Sequence, residues 1–227
     1  SDLLKIDKSE FCFTSGATES NNIAIMGAAY ANERKGRKLI TTKIEHPSVL
    51  NTFRHVEAQG FEVTYIGTDS SGHIDMNELE NALDEKTILV SVMAVNNEVG
   101  TIQPFESIRQ AVKKKNSPAL IHVDAVQAFG KIPLNPSKTG IDLLTVSSHK
   151  IHGPKGAGAL YIRKGVKIQP HVLGGGQEKG RRAGTENVPG IVGLGVAIED
   201  MCADIEENAK KRILTAMKIL PSFTPKT

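Results

Sequence analysis

Short, nearly uninterrupted apolar runs alternate with longer helical stretches along most of this chain. Residues 11–14, 38–42, 61–66, 87–95, 119–123, 143–146 and 159–163 read as strands. Helical patterning follows the first of these, and further helices begin just after His46, at Met76 and at Phe105; a last helical pattern runs from Val188 through about Leu220. Most of the strands lack an alternation of polar and apolar residues, so both their faces must be covered. Helices that cross between parallel strands supply that cover. The expected fold class is therefore α/β: a doubly wound, mainly parallel sheet flanked by helices.

Local signals agree with this scheme. Pro47 suits the first turn of a helix, and Asp69-Ser70-Ser71-Gly72 is turn chemistry. Lys113, Lys114 and Lys115 complement the negative end of a helix and need no other role. Residues 131–140 read as a loop. A glycine-rich polar segment, from Gly174 to Asn187, is long enough to suggest function or an interface rather than a plain connection. Pro221 and Pro225 break the last helix.

Charge and composition exclude several classes. Lysine and arginine number 28 against 25 acidic residues, a formal charge of +3, too balanced to imply nucleic acid or a membrane surface as partner. No apolar run approaches the roughly 18 residues of a membrane span. Cys12 and Cys202 make no disulfide framework and match no metal spacing. No basic-then-apolar leader opens the sequence, so a cytoplasmic location is expected. The chain has no tryptophan and few aromatics, which argues against a stacking platform for bases.

In open α/β sheets, ligands bind beyond the carboxyl ends of the strands. Here those ends carry Gly16-Ala17-Thr18, His46, Asn97, Asp124 with Gln127, and Ser147-Ser148-His149-Lys150. Amides at a helix start, with Thr18, Ser147 and His149, could hold a phosphate. Asp124 could pair with a protonated ring nitrogen. His46 could lie on a flat ring, Gln127 could donate to a ring oxygen, and Lys150 could form a Schiff base. Together these describe a pyridoxal 5'-phosphate site. Each residue also has a plainer role open to it: Lys150 as a solvated loop lysine, Asp124 as a helix cap, His46 as the residue before a proline turn. His149 and His152 lie three apart, but no carboxylate or cysteine near them in sequence completes a metal set, so no metal site is expected.

With these residues in view, the chain resembles the cysteine desulfurases, a branch of the class V aminotransferase-like, fold-type I pyridoxal-phosphate enzymes. The matching segments are residues 13–22, 45–49, 95–100, 122–127, 147–156 and 182–185, in the family's order. The resemblance implies that Lys150 carries the cofactor as a Schiff base and then moves the substrate Cα proton. It implies that His46 stacks on the ring and assists proton transfer, that Asp124 holds the pyridine nitrogen, and that Gln127 holds the ring hydroxyl. Ala17, Thr18, Ser147 and His149 would bind the phosphate, and Ser148 is counted with them among the cofactor-binding residues. Asn97 would sit beside the ring, within reach of the substrate carboxylate. Thr185 would reach the phosphate of a neighbouring subunit, which implies a homodimer. The implied activity converts L-cysteine to L-alanine, with sulfur passed to an enzyme cysteine as a persulfide for an iron–sulfur scaffold or another sulfur acceptor.

The pattern is not matched throughout. The family's persulfide cysteine and carboxylate-binding arginine lie well downstream of the lysine, in a smaller C-terminal domain, and this sequence ends at Thr227. Its cofactor-side N-terminal segment also has no counterpart here. The expected organisation is a cofactor-binding large domain over residues 1–220 with a tail over 221–227, able to bind the cofactor but not to complete desulfuration alone. The alternatives are a selenocysteine lyase or another class V aminotransferase-like enzyme, and a non-catalytic cofactor-binding or scaffold-docking module.

Overall fold

The apolar runs become strands, each leading to the element that covers it. β1 (Phe11–Thr14) leads into α1 (Ala17–Asn32), β2 (Lys38–Thr42) into α2 (Pro47–Ala58), and β3 (Glu62–Ile66) into α3 (Met76–Ala82). β4 (Thr87–Met93) is followed by α4 (Phe105–Lys114), and β5 (Leu120–Asp124) by the short α5 (Pro136–Thr139). β6 (Leu143–Ser147) then passes through a 3-10 turn, Ser148–Ile151, into β7 (Gly158–Ile162), and α6 (Val188–Cys202) closes the series. The computed structural model describes residue 4 and residues 6–205, 207–211 and 214.

The strands form one seven-stranded sheet in the order β1-β7-β6-β5-β4-β2-β3. β6, β5, β4, β2 and β3 are parallel neighbours, whereas β7 runs antiparallel to both β6 and β1. The reversal has a simple cause. Only ten residues separate β6 from β7, and a parallel crossover needs roughly a dozen or more. Every strand except β7 therefore ends at the same edge of the sheet, where β7 begins.

Both faces are covered. Leu39, Leu89, Leu143 and Leu160 pack with Ile23, Val49 and Phe53 of α1 and α2. Ile40, Val90, Val123, Leu144 and Tyr161 pack with Leu79, Ile108 and Leu194 of α3, α4 and α6. Each such side chain, fully buried, contributes about 1.5–3 kcal/mol. Neighbouring residues on one strand thus feed two separate cores, which is why the strands are apolar throughout.

β3, β5, β6 and β7 depart from expectation by one residue at one or both ends, and three larger differences stand out. β4 stops at Met93, and Val95 instead forms a lone bridge with Ile102. The loop over 131–140 contains α5, capped by the Asn135 side chain and ended by Gly140 in the left-handed conformation at φ 72°. The last helix does not run unbroken: α6 ends at Cys202 and residues 203–204 form a turn. Residues 215–220 of that expected helix, and the tail over 221–227, lie outside the described residues. Among the described residues no helix is long and apolar enough to cross a membrane.

Candidate active site

The shared strand edge opens into a cavity of about 620 Å³. Its first wall is the turn from β1 into α1. Gly16 is the N-cap of α1 at φ 149°, ψ −177°, and no side chain caps the helix. That backbone conformation is essentially restricted to glycine, and a Cβ at Gly16 would meet nothing within 4 Å. The start of α1, uncapped by any side chain, lines the cavity with Gly16, Ala17 and Thr18. Gly158 explains the close approach behind it: a Cβ there would lie 2.7 Å from Gly16 Cα and 2.9 Å from the Val146 carbonyl.

The opposite part of the same wall comes from the end of β6. Ser147 Oγ and His149 Nδ1 are 2.9 Å apart, and both residues line the cavity. Partial desolvation, followed by the nearby Lys150 and Lys155 charges, holds the His149 imidazole below its usual range. Lys150 follows in the 3-10 turn, where it is exposed, and it lines the same cavity as Asp124.

Asp124, the last residue of β5, is 6% exposed. Its Oδ1 accepts from the Val126 amide at 3.0 Å, and its Oδ2 accepts from Asn21 Nδ2 at 2.8 Å. The first of these closes the turn that follows β5; the structure has no helix there for Asp124 to cap. Burial pushes its carboxyl up, and the Val126 amide, Asn21 and His46 oppose the shift. A carboxylate this desolvated favours a cation as its cavity neighbour.

His46 is held by its own helix. As N-cap of α2 it accepts from the Ser48 amide through Nδ1 at 3.1 Å, and Ser48 Oγ lies 2.8 Å from the same nitrogen. Nδ1 acting as an acceptor leaves Nε2 as the proton-bearing nitrogen of the neutral ring. Gln127 Oε1 accepts from Lys131 Nζ at 2.9 Å, which leaves the Nε2 hydrogens as its donor end.

The structure gathers nine of the expected residues around this cavity. Ala17, Thr18, His46, Asn97, Asp124, Gln127, Ser147, His149 and Lys150 all line it. Ser148 does not line this cavity: its side chain is fully buried and its Oγ has no hydrogen-bond partner. Ser148 is buried in the 3-10 turn after β6, whereas His149 and Lys150, which follow it, are exposed. Thr185 lies apart, in a smaller cavity of about 100 Å³ with Arg182 and Gly184.

Several residues of the site were not singled out from sequence. Asn21 is fully buried and bridges two groups, giving one Nδ2 hydrogen to Asp124 and the other to Ser48 Oγ at 2.9 Å. Its signal was present: Asn21, Ala24, Ile25 and Ala28 share a helix face, and a lone amide on an apolar stripe needs a partner. Glu45 is 4% exposed and accepts from Thr42 Oγ1 and the Met93 amide, each at 2.8 Å. Burial, with a smaller contribution from Asp124, pushes its carboxyl up to about 8. Glu45 borders a second cavity of about 520 Å³ that shares His46 and Asn97 with the first.

The residues fit pyridoxal phosphate on chemical grounds. An uncapped helix start and the Ser147–His149 pair suit a phosphate, a desolvated carboxylate suits a pyridinium, and a lysine lies in the same cavity. Among the described residues, no three histidine, cysteine or acidic side chains cluster as a metal site would require.

The sequence matches the family described as aminotransferase class-V over residues 1–220. The chain belongs to the class-V aminotransferase family. Within that family it is 54% identical over 207 residues to a protein named cysteine desulfurase IscS of Methanosarcina thermophila, covering 91% of this chain and 51% of that one. A solved structure described as a NifS-like protein superposes with a TM-score of 0.94 at 49% identity, covering 97% of this chain and 60% of that one. Another, described as SspA in complex with cysteine, superposes with a TM-score of 0.83 at 42% identity, covering 95% and 62%. The chain thus spans about half the length of the curated class-V relatives it matches.

Proposed function

We propose that this chain is the cofactor-holding large domain of a pyridoxal-phosphate-dependent cysteine desulfurase that transfers sulfur from L-cysteine towards iron–sulfur cluster assembly or another acceptor. The observation that carries this reading is the single cavity joining Lys150, the buried Asp124 and the open start of α1. Its relatives support the activity: one is named a cysteine desulfurase, and one solved neighbour is described as a complex with cysteine.

When bound, pyridoxal phosphate supplies an electron sink for the bond changes at the substrate amino acid. The chain supplies the rest. The amides of Ala17 and Thr18, with Ser147 and His149, hold the phosphate end. Asp124 keeps the ring nitrogen protonated, with Asn21 fixing its Oδ2. Lys150 would provide the amine that tethers the cofactor and would hold the proton exchanged at the substrate Cα. His46, its ring held through Nδ1, covers the ring and offers Nε2 for proton transfer. Asn97 meets the substrate carboxylate, and Thr185 serves the site of a second copy in a homodimer.

Sulfur transfer also needs a thiolate. The net change is L-cysteine plus a thiol giving L-alanine plus a persulfide. Neither cysteine of this chain lines the cavity. Burial pushes the Cys12 thiol up to about 12 and raises that of Cys202. The sulfur-accepting thiol therefore comes from outside residues 1–227 of this sequence.

The test is a titration of the purified chain with pyridoxal phosphate. A visible absorption band should develop and should be missing from the Lys150→Ala variant. No band with the unaltered chain, or an equal band in the variant, would overturn the cofactor assignment. Sustained alanine formation by the chain alone would overturn the assignment of the thiol.

A further inference from the structure

The start of α1 carries an acidic group where the proposed site needs an anion. Glu19, in the first turn, lines the main cavity, and its Oε2 accepts from the Ser15 amide at 2.5 Å. This carboxylate already occupies one donor of the turn, and its charge opposes any phosphate brought to the neighbouring amides. Arg182 answers it. Its Nε donates to Glu19 Oε1 at 2.9 Å, and its Nη2 lies 3.4 Å from Oε2. Both side chains are largely shielded, at 22% and 18% exposure, so solvent screens the pair only in part.

The loop that delivers Arg182 is fastened independently. Glu178 Oε2 accepts from the amide of Phe13 on the sheet-edge strand β1 at 3.0 Å, and Arg181 Nη1 donates to the Ser9 carbonyl at 2.9 Å. Glu178 and Lys179 hold left-handed backbone conformations, φ 47° and 60°, which non-glycine residues adopt at a cost. The glycine-rich segment is thereby laid along β1 so that one guanidinium ends against one carboxylate at the cavity wall.

We propose that Arg182 is a positioning residue whose guanidinium cancels the charge of Glu19 and holds that carboxylate to the side, leaving the amides of Ala17 and Thr18 free for the cofactor phosphate. This rests on the assignment of the α1 start as the phosphate end. Arg182 acts through Glu19 and not by touching the phosphate. Removing it would leave a bare carboxylate beside the anion. Removing both would restore a neutral wall.

The experiment compares dissociation constants for pyridoxal 5'-phosphate and for pyridoxal, which lacks the phosphate. The unaltered chain, Arg182→Met, Arg182→Lys, Glu19→Gln and the Glu19→Gln/Arg182→Met double variant are measured. The Arg182→Met change should weaken pyridoxal phosphate by roughly tenfold, as a unit charge at short range would, and leave pyridoxal unchanged. Arg182→Lys should retain most of the affinity, and the double variant should recover it. A double variant as weak as Arg182→Met, a lysine variant equally weak, or a parallel loss for pyridoxal would each overturn the proposal. An unaltered chain that does not prefer the phosphorylated ligand would instead overturn the phosphate assignment, whatever Arg182 does.

Discussion

Asn21 Nδ2 donates to Asp124 Oδ2 at 2.8 Å, linking the second turn of α1 to the end of β5 beneath the cavity. The same nitrogen donates to Ser48 Oγ, which lies 2.8 Å from His46 Nδ1. His46, through Ser48, and Asp124 are therefore both held by one amide. Replacing it by Asn21→Ala leaves Asp124 short of a partner, at about 1–3 kcal/mol for a buried group. Denaturant unfolding should show that loss. Combined with Asp124→Asn, the two changes should be clearly non-additive.

Gly158 lies in β7 with Gly16 immediately behind it. In Gly158→Ala the new methyl group meets backbone atoms of Gly16 and Val146, and backbone cannot swing aside as a side chain can. The expected cost is about 1–3 kcal/mol, read as a lower melting temperature. Affinity for pyridoxal phosphate should fall with it, because Gly16 is the residue displaced.

Two buried groups shape the response to pH. His122 is fully buried between Ser91 Oγ at 2.8 Å and Thr145 Oγ1 at 3.1 Å. Burial lowers it from 6.5 to about 3, so the unfolded chain binds the extra proton and stability drains away as pH falls from 6.5 towards 3. Glu45 behaves oppositely. Its carboxyl is raised from 4.5 to about 8, so the folded chain holds the extra proton. Stability is full below 4.5 and is lost as pH rises through 8. Their joint contribution is level between 4.5 and 6.5, where the two slopes cancel. Unfolding free energies measured across pH should show His122→Gln flattening the acid limb and Glu45→Gln flattening the alkaline one.

Asp142 precedes β6 and is 1% exposed. It accepts from the Ile121 amide at 2.8 Å and from Arg163 Nε at 2.6 Å, and Arg109 Nη2 lies 3.6 Å away. Asp142→Ala should cost about 1–3 kcal/mol, because it leaves the buried Ile121 amide without its acceptor, while the two arginines, Arg163 and Arg109, 44% and 24% exposed, keep access to water. Asp142→Asn keeps an acceptor for Ile121 and should cost less in the same unfolding measurement.

The amino-acid sequence by itself determined the fold class and most of the cavity lining. Unbroken apolar strands demand cover on both faces, and parallel strands deliver their last residues to one edge, so His46, Asn97, Asp124 and Lys150 had to converge. The direction of β7 was legible only as a short connection, and the tertiary structure turned that shortness into an antiparallel strand against β1 and β6. Ser148 shows the limit most plainly. It sits between two cavity residues in sequence, yet the 3-10 turn rotates its hydroxyl into the interior, because side-chain direction in a turn depends on backbone angles that composition does not reveal. Asn21, Glu45 and the pairing of Arg182 with Glu19 likewise depended on the folded chain. Each joins positions far apart in sequence, with a partner that no local pattern could name.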